Sequence, residues 1–134
     1  MFPFAAEAGF EAWYWRTITG PNIGLIAHEA TSGRLVGVVN LNQIVNGAFR
    51  SAHLGCHGYP GMGGAGRMTP AVGSAVKWAF EVLGLHRLET NIQPANTRSA
   101  ASIRRLGFQM EGFSPRYLRI GGEWRDHERW AILA

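Results

Sequence analysis

The stretch Gly55-Cys56-His57-Gly58-Tyr59-Pro60-Gly61-Met62-Gly63-Gly64-Ala65-Gly66-Arg67-Met68-Thr69-Pro70-Ala71-Val72-Gly73 decides how the rest of the chain is read. Six glycines lie from Gly55 to Gly66, and a helix signature follows them. Thr69 is a good N-cap, and Pro70 stands at the first helical position, where its missing N–H costs nothing. Apolar residues recur with helical spacing at Met68, Val72, Ala75, Val76, Ala79, Phe80 and Leu83, and Gly84 closes the element. A glycine-rich loop therefore opens directly onto a helix N-terminus. Free backbone N–H groups and the helix dipole make such a junction a ready anion site.

Outward from the loop, strands and helices alternate. Leu25 to Glu29 and Leu35 to Val45 read as strands joined by a Thr31-Ser32-Gly33 turn. Phe49 to His57 follows after Asn46-Gly47, a second turn signal. Ala5 to Arg16 reads as a short amphipathic helix ended before Gly20-Pro21. Beyond the loop helix, His86 to Gln93 is a strand broken by Pro94. Asn96 then caps a second helix with apolar Ala100, Ile103 and Leu106, closed by Gly107. Phe108 to Ile120, a Gly121-Gly122 turn and Glu123 to Leu133 form a β-hairpin. The predicted order is α-β-β-β-α-β-α-β-β. It describes an α/β (α+β layered) fold in which a mixed sheet carries flanking helices.

Composition bounds the function. At 134 residues the chain is expected to form a single domain, residues 1–134, with a real core. No apolar run approaches the roughly 20 residues of a membrane helix, and Met1 to Phe10 does not resemble a signal peptide. The single cysteine, Cys56, precludes a disulfide within the chain, so a cytoplasmic protein is expected. Net charge is +4, and 12 of the 13 basic residues are arginine, which suits a phosphorylated ligand. Those arginines are scattered and form no stripe, so no direct nucleic-acid contact is expected.

Three phosphate-binding readings of the loop compete. Gly61 and Gly66 have Walker A spacing, but Arg67 and Met68 replace the lysine and the hydroxyl residue. Gly61-x-Gly63-x-x-Gly66 matches the dinucleotide fingerprint, with Glu89 near the place of its acidic partner, yet only about 45 residues follow Glu89. In the third reading, Gly63-Gly64-Ala65-Gly66-Arg67-Met68-Thr69-Pro70-Ala71 resembles the R-G-x-G-x-M-T-E-A segment of the GNAT N-acetyltransferases. Asn96-Thr97-Arg98-Ser99, then Leu106-Gly107-Phe108 and Glu111-Gly112, resembles the family's N-x-x-S…L-G-F-x-x-E-G. Leu41 to Phe49, Leu54-Gly55, Tyr117 to Ile120 and Trp124-Arg125-Asp126-His127 resemble the RimJ branch, whose members acetylate the N-terminal amine of a ribosomal protein.

The resemblance runs from about Leu25 to Leu133, with departures. Gly63 replaces the loop's arginine or glutamine, Pro70 a glutamate, and Cys56-His57 an aromatic pair. The chain also begins near the family's second helix, so the resemblance implies a mostly antiparallel twisted sheet lacking its first strand and helix. A sheet edge left open in that way could be covered by a partner chain, and a homodimer is one such arrangement.

The resemblance implies acetyl-CoA as co-substrate and no metal. The backbone of Gly64, Ala65, Gly66, Arg67, Met68 and Thr69 would hold the pyrophosphate. Asn96 would bind the pantetheine arm, and Ser99 would protonate the departing thiolate. Many GNATs use a tyrosine four residues further along; Ile103 stands there, which raises the case for Ser99. Backbone N–H groups around Leu54 to Cys56 would polarise the acetyl carbonyl. Glu89 and Glu111 are the candidate bases, each with a structural role as the plain alternative. Asp126 and His127 either help hold a peptide or are simply a hairpin pair, and Cys56 reads as a small buried residue rather than a nucleophile.

An α-amine has a pKa near 7.7–8.0, so roughly a tenth is neutral at pH 7, against well under a thousandth of lysine. A protein N-terminus is therefore the acceptor expected to need only a weak base. The rival expectations are a small-amine (antibiotic or metabolite) acetyltransferase and an inactive CoA-binding or interaction module.

Overall fold

The computed structural model describes residues 2–5, 11–29, 33–58 and 68–134. The strands are β1 (Phe2–Ala5), β2 (Glu11–Thr19), β3 (Asn22–Glu29), β4 (Leu35–Val45), β5 (Ser51–Gly58), β6 (Arg87–Ile92), β7 (Gln109–Ile120) and β8 (Glu123–Leu133). The helices are α1 (Met68–Glu81), between β5 and β6, and α2 (Thr97–Arg105), between β6 and β7. One eight-stranded sheet has the order β1-β2-β3-β4-β5-β6-β8-β7. Its pairings are antiparallel except β5 with β6, which run parallel because the chain crosses over through α1. The α/β layered class expected from the sequence is the one found.

The beginning of the chain corrects the sequence reading. Part of the Ala5–Arg16 segment read as a helix is strand: β2 pairs with β3 from Ala12↔Glu29 to Thr19↔Asn22, and β1 pairs with β2. Glu11–Thr19 contains Trp13, Tyr14, Trp15, Thr17, Ile18 and Thr19, aromatic and β-branched residues that suit a pleated strand. The free edge of β3 gives that preference a partner.

Helix α1 begins at Met68, so Thr69, read as its N-cap, and Pro70, read as its first residue, both lie inside its first turn. Pro70 is tolerated there because first-turn N–H groups have no intrahelical acceptor. Leu85 N–H returns to the Ala79 carbonyl at 3.1 Å across Gly84, whose φ of +70° lets the chain reverse. The β7–β8 hairpin turns at Gly121 and Gly122, both with positive φ (+60° and +83°), as a type I′ turn requires.

Register places Ile23, Leu25 and Ala27 of β3, Val39 and Leu41 of β4 and Leu54 of β5 on one face of the sheet. All six are buried, and α1 packs over β4 and β5 with Ala71, Val72, Ala75 and Ala79 turned inward. The two helices meet closely: a Cβ at Gly73 would lie 3.2 Å from Leu106 Cδ2. The same core continues through Leu88, Ile103, Phe108 and Trp130. Fully burying a leucine or valine contributes about 1.5–3 kcal/mol, so this continuous layer is what holds the helices at fixed distance from the strands.

Candidate active site

Strands β5 and β6 pair only at Ser51↔Arg87, Ala52↔Leu88 and His53↔Glu89. Beyond that point β5 continues to Gly58 and β6 to Ile92 without pairing to each other. The other edge of β5 stays paired with β4 as far as Gly58. Among the described residues, the edge facing β6 therefore has no strand partner along Gly55 and Cys56.

A cavity of about 660 Å³ opens where the strands part. Leu54 to His57 form one wall and Thr90 to Gln93 the opposite one. The start of α1 contributes Met68, Thr69 and Val72, α2 contributes Ser99, Ser102 and Ile103, and the hairpin contributes Leu118, Ile120 and His127. The volume suits a small-molecule or cofactor site. Arg98 and Arg105 line it, and no aspartate or glutamate is among the described lining residues, so the wall favours an anionic or neutral ligand.

Local hydrogen bonds fix this frame. Asn96 caps α2, its Oδ1 accepting from Ser99 N–H at 3.3 Å. The hydroxyls of Thr69 and Ser102 are hydrogen-bonded, tying the first turn of α1 to α2. Arg104 lies over the Trp130 ring at 5.2 Å, a cation–π contact, while Arg105 faces the cavity. Cys56, read from the sequence as buried, is instead exposed on the wall, because the strand edge it lies on faces the cavity; neighbouring atoms still push its thiol pKa up by desolvation.

The structure brings Met68, Thr69, Asn96 and Ser99 together around one cavity. Gly64, Ala65, Gly66 and Arg67 lie outside the described residues. Glu89 is not brought into the cavity lining. Its carboxylate accepts from Arg87 Nε at 3.0 Å and lies 3.9 Å from His53 Nε2. Glu111 takes the other end of the same guanidinium, with Arg87 Nη1 donating to its Oε2 at 3.1 Å. That hydrogen bond, helped by the charges of Arg87 and Arg129, holds the Glu111 carboxyl below the usual carboxylate range. Arg87 thus occupies both carboxylates read as candidate bases. Of the hairpin pair, Asp126 accepts from Arg116 N–H at 2.9 Å, whereas His127 is buried against the cavity.

Residues 3–109 match the family model described as an acetyltransferase (GNAT) domain. The chain belongs to the GNAT acetyltransferase family. It is 39% identical over 104 residues to the Bacillus subtilis protein named "Probable N-acetyltransferase YjcK", covering 78% of the chain and 58% of that protein. It is 37% identical over 98 residues to the ribosomal protein uS5-alanine N-acetyltransferase of Escherichia coli, covering 73% of the chain and 50% of that enzyme. A spermidine N(1)-acetyltransferase of E. coli is 31% identical over 75% of the chain and 54% of its own length. Among solved structures, Mycobacterium smegmatis RimJ in complex with CoA-disulfide superposes with a TM-score of 0.80 at 34% identity, over 86% of this chain and 54% of that one. The GNAT domain described here thus spans about half the length of these relatives.

Proposed function

We propose that this chain is one acetyl-CoA-dependent N-acetyltransferase domain that transfers the acetyl group directly to a protein N-terminal α-amine, of the ribosomal-protein-alanine type. The parting of β5 from β6 beside the Asn96-capped start of α2 carries the reading. In it, free backbone groups of β5 meet the acetyl carbonyl and Asn96 meets the pantetheine arm. Thr69 and the N-terminus of α1 lie toward the phosphates, and the Ser99 hydroxyl returns a proton to the leaving thiolate. The lining residues fit such a ligand: amide and hydroxyl groups for the arm, and Arg98 and Arg105 for its anionic part.

The peptide acceptor is favoured over a polyamine by the absence of carboxylates among the described residues that line the main cavity. A smaller hollow of about 360 Å³, bounded by Gln93, Pro94, Ala95, Trp124, Arg125 and Asp126, shares Gln93 with the main cavity and offers a path for a peptide. The spermidine-acetylating relative supports the second reading, a small-amine acceptor.

Titration calorimetry with CoA, followed by turnover on N-terminal peptides and on polyamines, tests both. Binding with peptide turnover is expected. Polyamine turnover alone would select the second reading, and binding without any turnover would leave a CoA-binding module.

A further inference from the structure

An acceptor amine that arrives protonated must lose a proton before it can attack, and no carboxylate among the described residues lines the cavity to take it. Two described lining residues, His57 and His127, are of a type that exchanges protons near neutral pH. His57 is exposed at the outer end of β5, and no partner orients its ring among the described residues. His127 is only 3% exposed and is held in place: its Nδ1 lies 2.9 Å from the Arg125 carbonyl oxygen. A carbonyl oxygen can only accept, so Nδ1 carries the hydrogen and donates it. In the neutral ring the lone pair is then on Nε2. The buried side-chain atoms without a partner, among the described residues, are His28 Nε2 and Ser74 Oγ. His127 Nε2 is not one of them, and the residue is part of the cavity lining.

We propose that His127 is the proton acceptor for the incoming amine, with Nε2 as the accepting atom and the Arg125 carbonyl setting the tautomer. The inference rests on the acetyl-transfer reading above. Nε2 takes one proton from the ammonium form, directly or through one water, which frees the nitrogen lone pair. That pair forms the C–N bond to the acetyl carbon, and the C–S bond breaks with its electrons going to sulfur. The second proton leaving nitrogen ends on the thiolate by way of the Ser99 hydroxyl, and the His127 proton passes to solvent. No oxidant or reductant is needed.

Other titratable and charged groups lie on the strand that carries the ring and on the elements that share the cavity. Tyr117 of β7 lies with its ring centroid 6.2 Å away, tilted by 59°. Helix α2 presents Arg98 and Arg105 to the same cavity, and β5 presents Cys56 and His57. On β8 itself, Asp126 accepts from Arg116 N–H and Glu128 accepts from Trp130 Nε1 at 3.2 Å.

His127→Asn keeps a side-chain N–H where Nδ1 stands and removes the base. The expected result is a fall in kcat on an N-terminal peptide of about 100-fold or more, with CoA affinity by calorimetry unchanged. The loss should be larger at pH 6 than at pH 9, where the amine is already neutral. Added imidazole should partly restore turnover to His127→Ala. A His127→Asn protein with wild-type rate and pH profile overturns the proposal while leaving the acetyl-transfer reading standing. A wild-type protein that binds CoA and acetylates no amine removes both. If the variants do not fold, nitrogen-15 NMR of the wild-type ring decides: the Nδ1–H tautomer is expected, and the Nε2–H tautomer overturns the proposal.

Discussion

The hydroxyls of Thr69 and Ser102 share a part-buried hydrogen bond that joins the first turn of α1 to the middle of α2. Both residues line the cavity, so this bond sets the spacing of its two helical walls. Removing one partner leaves the other unsatisfied. Thr69→Val and Ser102→Ala should each lower stability by about 1 kcal/mol. The double variant should cost clearly less than the two together, as urea denaturation would show in a double-mutant cycle. CoA affinity should fall in both single variants.

Asn96 is exposed, yet its Oδ1 satisfies the Ser99 N–H at the start of α2. Asn96→Ala should cost about 1 kcal/mol of stability, while Asn96→Asp, which can still cap, should cost much less. Under the proposed function Asn96→Asp should nonetheless weaken CoA binding, because a carboxylate cannot donate to the pantetheine arm. Calorimetry beside thermal denaturation separates the two effects.

Arg87 bridges β6 to Glu111 of β7, and the Glu111 carboxyl is held below its usual pKa. A depressed carboxylate contributes stability that is complete above its unfolded value, about 4.3, and is lost as pH falls through the lower folded value. Urea midpoints at pH 7 and pH 3 should therefore differ less for Glu111→Gln than for the wild type. The pair is part exposed, so the difference should be modest.

Gly107 closes α2 with a φ of +102°, which a side chain rarely adopts. A Cβ there would meet Ile132 Cδ1 at an ordinary 3.4 Å, so backbone strain rather than a clash sets the effect. Gly107→Ala should destabilise the fold by about 1 kcal/mol, read from a shifted denaturation midpoint.

The raised thiol pKa of Cys56 argues against a covalent acetyl-enzyme. Intact-mass spectrometry during turnover should find no acetylated protein. A 42-dalton adduct on Cys56 would contradict direct transfer (the figure is roughly the mass that replacing a thiol hydrogen by acetyl adds).

Much of the fold was legible in local signals. Strand β4 spans the Leu35–Val45 read from its β-rich run, and the β7–β8 hairpin turns at the predicted glycine pair. The Asn96 cap was also readable, because the side chain and the amide it satisfies are three residues apart. The chain start was not legible. Apolar residues in Ala5–Arg16 fit a helical face as well as a strand, and only pairing with β3 chooses.

The sequence by itself determined the elements on either side of the glycine loop, their order and the family signature, because turns, caps and periodicity act over a few residues. The tertiary structure alone decided where the parallel pairing of β5 and β6 ends, and hence where the cavity opens. It also decided the fate of the titratable groups. Glu89 and Glu111, 22 positions apart in sequence, are joined through Arg87, and His127 lines a cavity shared with residues of β5, β6, α1 and α2. Such outcomes depend on which strands lie side by side, and no local pattern encodes that.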